Sequence, residues 1–290
     1  MLRRNNVGYI VCCNSDIGIE KKVNQDAIAF KQIKTLEGEV VFAILCDGMG
    51  GFSQGEIAST TVVMAYLDWF ENIFLKNIGQ MNKDRICVDW ELLMQKLNNV
   101  LFEYANSNGI KIGTTLTILL LWNNERYIYN VGDGRVYELT NQIVQITKDH
   151  SWVAGEVEEG RMTPEQAKFD SRKNRILKCI GGAAKTSGDF FAGKVVPESV
   201  YLMCCDGVRN KVFDEELHYF FHPTCMNDSQ SMENNIKYIF ELNKLREEKD
   251  NMSMIVIKDN DITMNISSDD FGRGVIKENI IVGTDRYIKI

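Results

Sequence analysis

Four acidic positions carry the chemistry this sequence offers: Asp47, Asp206 and Asp250, each at the edge of an apolar run, and Asp26 beside Gln25 near the start. The run VVFAILC (40–46) opens into Asp47-Gly48-Met49-Gly50-Gly51, VYLMCC (200–205) opens into Asp206-Gly207, and Asp250-Asn251 precedes an apolar run at 254–258. Strand ends from separate parts of a chain can converge on one site. Hard divalent cations take oxygen ligands and keep several waters, so a few carboxylates on a rigid sheet suffice, and a pair of ions can clamp a phosphate. Glycines after Asp47 let backbone carbonyls approach such an ion. The spacing permits this chemistry without requiring it; read alone, the glycine-rich stretch is equally an ordinary turn. With only His150, His218 and His222 and no C-x-x-C pair, any metal must lean on carboxylates, which favour magnesium or manganese.

The elements that would position these residues follow from periodicity. Uninterrupted apolar runs at 40–46 and 200–205 read as strands buried on both faces, and residues 9–13 and 27–32 as further strands flanking the polar segment that holds Asp16, Lys21, Gln25 and Asp26. Ser53 and Glu56 form a capping box ahead of a helix with Val62, Tyr66, Trp69, Phe70 and Ile73 on one face. Asp89 is placed to cap a second helix, carrying Leu93, Leu97, Val100, Leu101 and Tyr104 and ended by Gly109. Short strands at 115–122, 126–131, 136–139 and 143–146 read as an antiparallel meander, which puts Asp133 of VGDGR at a hairpin tip, where aspartate is also favoured as a turn former. Residues 155–182 are charged and aperiodic, with a helix start at Thr163-Pro164-Gln166, and read as a mobile flap. Ile236, Ile239, Phe240 and Asn243 fit another helix, and residues 259–290 turn polar before ending with strand character.

Composition narrows the class. Apolar residues make up 44% of the 290, with three prolines, which describes a globular chain able to bury a large core, with no low-complexity linker to divide it. The net charge of −7 and scattered basic residues argue against a nucleic-acid partner. The stretch after the basic start is too short and polar for a signal or membrane segment, and the eight cysteines read as buried reduced thiols. The expectation is a soluble cytoplasmic protein and a monomer.

Taken in order, D-I-G-I-E-K-K-V-N-Q-D, C-D-G-M-G-G, G-T-T, V-G-D-G-R, T-K-D-H-S, N-R-I-L-K-C-I-G-G, C-D-G and D-N-M-S resemble the metal-dependent protein phosphatases, the type 2C serine/threonine phosphatases, and in particular their bacterial branch, over roughly residues 8–258. The resemblance implies an α/β sandwich, two packed antiparallel sheets flanked by helices on both outer faces. Residues 1–258 would be the catalytic domain and 259–290 a strand-forming extension. It further implies hydrolysis of phosphoserine and phosphothreonine in proteins, the targets of a serine/threonine kinase, by a water or hydroxide between two Mn²⁺ or Mg²⁺ ions. Asp47 would bridge the ions with the Gly48 carbonyl on one of them, Asp206 and Asp250 would complete the other's shell, Asp133 would help hold a looser third ion, and Asp26 would hydrogen-bond metal waters.

The sequence departs from the family pattern at two positions. Lys21 stands where the family carries a phosphate-gripping arginine, a point charge in place of a bidentate fork, and Gln25 replaces a glutamate. Met49 occupies the place of a histidine proposed as general acid in animal members, so the leaving group must take its proton from water. Lys21 and Gln25 motivate the competing reading of a catalytically silent scaffold that binds phosphoproteins, against which the retention of Asp47, Asp206 and Asp250 argues. An aspartyl-phosphate enzyme fails on Met49, where its second aspartate should stand, and a P-loop fails because no lysine follows Gly50-Gly51. His150 reads as structural more readily than as a proton donor.

Overall fold

In the computed structural model, which describes residues 8–35, 38–50, 54–260 and 274–289, the apolar run before Asp47 is the middle of strand β3 and serves two cores at once. Alternate side chains of a strand leave opposite faces. Val41, Ala43 and Leu45 join one core with Val11, Leu202 and Val256, while Val40, Phe42, Ile44 and Cys46 join another with Val62, Tyr66 and Trp90. That double burial explains a strand with no polar alternation.

The strands are β1 (Gly8–Asp16), β2 (Asp26–Thr35), β3 (Gly38–Gly50), β4 (Ile112–Thr114), β5 (Leu116–Trp122), β6 (Glu125–Val131), β7 (Arg135–Leu139), β8 (Ile143–Gln145), β9 (Asp189–Lys194), β10 (Val200–Cys204), β11 (Met252–Asn260) and β12 (Gly274–Ile281). They form two antiparallel sheets, β1-β11-β10-β7-β8 and β12-β2-β3-β5-β6-β9, with β4 beside β3. The helices are α1 (Gly55–Trp69), α2 (Lys83–Asn108), α3 (Trp152–Glu158), α4 (Pro164–Phe169), α5 (Asp206–Arg209), α6 (Asp214–Phe221) and α7 (Ser229–Leu245). Helices α1 and α2 cover the second sheet, burying Tyr66, Trp69, Trp90 and Leu97, and α6 and α7 cover the first with Leu217, Phe221, Ile236 and Phe240. The result is the expected α/β sandwich, helices outside and two sheets within.

Three local expectations change. The segments at 115–146 are not one meander. Strands β5 and β6 pair through Asn123 and Asn124, both at positive φ, as a tight hairpin requires, but β7 pairs with β10 in the other sheet. The stretch VGDGR is therefore a crossover between sheets, and Asp133 is buried at 1% exposure rather than displayed at a hairpin tip. A local turn signal cannot say which sheet receives the next strand. Helix α2 begins at Lys83 with Asn82 accepting from the Arg85 amide; Asp89 lies inside it and accepts from the Trp69 indole. The cap of α1 is Gln54 at φ 84, and Ser53 of the expected capping box lies outside the described residues. Gly109 does end α2, at φ 63, and Thr163 and Gln166 do form the capping box of α4.

The C-terminal stretch adds β12 to the free edge of β2, with Lys277 Nζ donating to the Val11 carbonyl of the other sheet at 2.8 Å. Among the described residues no helix is long and apolar enough to cross a membrane, and all eight cysteines are free thiols, Cys12, Cys46, Cys204 and Cys205 being buried.

Candidate metal centre

Strand register brings the acidic positions to one end of the sandwich. Asp26, the first residue of β2, pairs directly with Asp47 near the end of β3. Asp206 opens α5 just beyond β10, whose last residue Cys204 pairs with Met254 of β11, and Asp250 lies two residues before β11. The same Cys204 pairs with Arg135 at the start of β7, which places Asp133 at this end as well. The two sheets thus deliver five aspartates to one mouth, two from strand termini of one sheet and three from the loops that flank the other.

The frame around them is dense. The Asp47 amide donates to Thr115 Oγ1 at 2.9 Å, while the Asp47 carbonyl accepts from the Thr115 amide and the Thr114 hydroxyl. The Gln25 carbonyl accepts from the Gly48 amide at 3.1 Å and from Ser59 of α1 at 2.6 Å, and the Gln25 amide donates to Asn251. Asn251 also donates to the Ile17 carbonyl, tying the loop before β2 to the start of β11. Backbones approach so closely that two glycines are obligatory. A Cβ on Gly48 would sit 2.3 Å from the Gly55 carbonyl oxygen, and one on Gly207 would sit 2.0 Å from that of Asn251.

Within this frame the carboxylates are short of positive charge. Both Asp26 oxygens and Asp206 Oδ1 are buried without a hydrogen-bond partner. Burial, aided by repulsion from Asp250 and Asp206, pushes the Asp26 carboxyl up to about 7 against the pull of the neighbouring Ser253 hydroxyl and Cys205 thiol. Burial and repulsion from Asp26, Asp206 and Asp250 hold Asp47 well above the usual carboxylate range. Asp206 is raised chiefly by burial, Arg209 easing it in part. A buried acid in this state either takes a proton or needs a cation.

Among the described residues two cations lie directly on these aspartates. Lys21 Nζ lies 2.8 Å from Asp250 Oδ1 at the half-exposed rim, and Arg209 Nη2 lies 2.9 Å from Asp133 Oδ2. Among the described residues no three His, Cys, Asp or Glu side chains are already drawn together as a cage for one ion, as expected where like charges repel. The donor set nevertheless fits hard divalent ions: orphaned buried carboxylate oxygens, a raised demand for positive charge, and glycine at two points of close backbone approach.

All the residues named from the sequence, Lys21, Asp26, Asp47, Gly48, Asp133, Asp206 and Asp250, lie at this end of the molecule. Met49 pairs with Gly113 and offers no proton. His150 accepts the Gly132 amide on Nδ1 at 3.1 Å and holds Nε2 3.2 Å from Asp189, so it pins the inter-sheet crossover. Thr115, Asn251, Arg209 and Asp149 escaped the sequence reading as individual residues. Arg209 carried one available signal: a charge one helical turn beyond Asp206, directly after the buried residues Gly207 and Val208.

Residues 19–241, more than half of the chain, match the family description Protein phosphatase 2C. The serine/threonine phosphatase stp of Listeria innocua serovar 6a is 33% identical over 180 residues, covering 60% of this chain and 69% of that protein. Among solved structures, the serine/threonine phosphatase Stp1 from Staphylococcus aureus is 28% identical with a TM-score of 0.74, covering 86% of this chain and 94% of that one. A bacterial serine phosphatase has the same identity and TM-score and covers 86% of this chain and 97% of its own.

Proposed function

The chain belongs to the protein phosphatase 2C family and is a metal-dependent protein serine/threonine phosphatase, and from that premise we propose that it removes phosphate from phosphoserine and phosphothreonine at the mouth lined by Asp26, Asp47, Asp206 and Asp250. The observation that carries this reading is the set of buried carboxylate oxygens without partners, drawn from both sheets to one point. We assign the catalytic unit to residues 1–258, with 259–290 as an extension that contributes β12.

Asp47, the Gly48 carbonyl, Asp206 and Asp250 would hold two manganese or magnesium ions, and Asp26 would anchor their waters. When bound, such ions polarise a phosphoryl oxygen, lower the pKa of water and stabilise the charge that develops during in-line displacement. The remaining tasks fall to the chain. Thr114 and Thr115 fix the backbone of Asp47, and Asn251 fixes the segment before Asp26, so the carboxylates need no reorganisation during reaction. Lys21, on the rim, offers a compact positive charge to a phosphate. Gln25 acts as a frame: its backbone bonds Gly48, Ser59 and Asn251, and its side-chain amide lies against Gly55 at the start of α1. Water supplies the oxygen of the new P–O bond. The departing serine or threonine oxygen takes its proton from solvent, since the thioether of Met49 has none to give.

The substrates would be phosphoproteins of a serine/threonine kinase, met in the cytoplasm by a monomeric enzyme. The test is release of inorganic phosphate from a phosphothreonine peptide in manganese, in magnesium and in chelator. Hydrolysis in the first two and its loss in the third is expected; hydrolysis unaffected by chelator would overturn the proposal.

A further inference from the structure

Charge at the mouth is divided unevenly. Among the described residues Asp26, Asp47, Asp206 and Asp250 have a single direct cationic partner, the Lys21 ammonium on Asp250. Asp133, by contrast, belongs to a chain of alternating charge. Arg209 Nη2 donates to its Oδ2 and to its backbone carbonyl, each at 2.9 Å, and stands 3.7 Å from Asp149. Asp149 in turn receives a bidentate contact from Arg135, with Nη2 at 2.7 Å and Nε at 2.9 Å, and Arg135 Nη1 reaches the Tyr137 hydroxyl at 2.8 Å. Two guanidinium groups thus meet two carboxylates, and the four side chains are largely shielded from solvent. The short helix α5 fixes the arrangement, because it places Arg209 one turn after Asp206 on a backbone anchored by Asn243 Nδ2, which donates to the Val208 carbonyl.

We propose that Arg209 is a positioning residue that takes the place beside Asp133 which a further divalent ion would need, so that the chain fills its metal centre without using Asp133 as a ligand. The inference rests on the two-ion reading above and restricts it. An ion approaching Asp133 would have to displace a charge-assisted bond to a planar, permanently charged donor. It would also face the displaced guanidinium at close range with little water to screen them. On the other side of the mouth both Asp26 oxygens and Asp206 Oδ1 have no hydrogen-bond partner to displace. The sign of the local charge therefore directs ions to one side of the mouth and keeps them from the other. Removing the guanidinium should open the second place.

The experiment is calorimetric titration of the full chain with manganese alone, comparing the native protein with Asp133→Asn, Arg209→Ala and the double variant. The expected result is an unchanged stoichiometry in Asp133→Asn, one additional weak equivalent in Arg209→Ala, and loss of that equivalent in the double variant. Merely structural damage would not create an ion site. Loss of an equivalent in Asp133→Asn, or no gain in a folded Arg209→Ala, overturns the proposal. Should Arg209→Ala fail to fold, as circular dichroism would show, the comparison of Asp133→Asn with the native protein decides alone. Asp47→Asn in the same titration separates the two ideas: undiminished manganese binding there would remove the two-ion reading, whereas the Asp133 result bears on Arg209.

Discussion

Burial pushes Asp26 up to about 7 and Asp133 up to about 7 against the pull of Arg209, far above an ordinary aspartate, and Asp47 and Asp206 are raised beside them. Without metal, these groups make stability depend on pH with a definite sign. An acid whose folded pKa lies above its unfolded value of about 3.9 binds more protons in the fold, so its favourable contribution is present at low pH and is lost as pH rises from about 4 to about 7. Thermal unfolding in chelator should therefore give a lower midpoint at pH 8 than at pH 5, with a smaller difference in Asp26→Asn, and manganese should restore the midpoint at pH 8. A midpoint in chelator that climbs across this window would contradict the charge assignment. Asp149 behaves oppositely: burial would raise its carboxyl, but Arg209 and Arg135 outweigh that and hold it below the usual range. The strand-end aspartates were legible from the sequence because apolar runs stop at them. The Arg209–Asp133 pair was not, because its members are separated by 76 positions and meet only after the chain has crossed between sheets.

At the scale of elements, strands β2, β3, β10 and β11 position the centre, and their glycine turns let them come so close. Gly207→Ala would drive a methyl into the Asn251 carbonyl, forcing apart the segments that carry Asp206 and Asp250. Overpacking of this kind costs roughly 1–3 kcal/mol, measurable by urea unfolding, with a loss of turnover out of proportion to the stability change. On the opposite side of β3, Phe42 stacks on Phe70 at 4.7 Å; Phe42→Ala should cost about 3–5 kcal/mol while sparing metal binding in the folded fraction. An alanine scan giving equal effects at the two sites would refute this separation. The apolar runs and most of the helical faces could be read from periodicity, which reports burial, but Ile73 of the expected first face is exposed in a π-helical turn beyond the end of α1. The β6–β7 crossover could not, since VGDGR has the local chemistry of a hairpin turn and pairing partners are chosen by the whole sandwich. The start of α2 was misplaced for a related reason: Asp89 is a fitting cap by type, but Ile86 is already buried against the core and extends the helix back to Asn82.

For the molecule as a whole, the stretch after β11 closes an edge and reaches the centre. Strand β12 covers β2, which would otherwise present unpaired backbone groups, and Lys31 is paired with both Glu278 and Glu71. Beyond it the chain presses Gly283 against the Asn24 carbonyl, where a Cβ would stand at 1.8 Å, and the Ile288 amide donates to Thr61 of α1 at 3.0 Å. Asn24 in turn accepts the Asp26 amide on its side chain. A chain ended after Asn260 should unfold at lower temperature, associate through the bared β2 edge in light scattering, and lose activity several-fold. Unchanged melting and a monodisperse solution would show that β12 is dispensable.

The proposed metal centre puts Asp47 where the two sheets deliver charge to the reaction. Phosphate release from a phosphothreonine peptide at saturating manganese, compared between the native chain and a folded Asp47→Asn, tests it most directly. A fall of more than about 100-fold, together with lost manganese binding, is the predicted result. Activity in Asp47→Asn within a few-fold of the native chain would contradict the account.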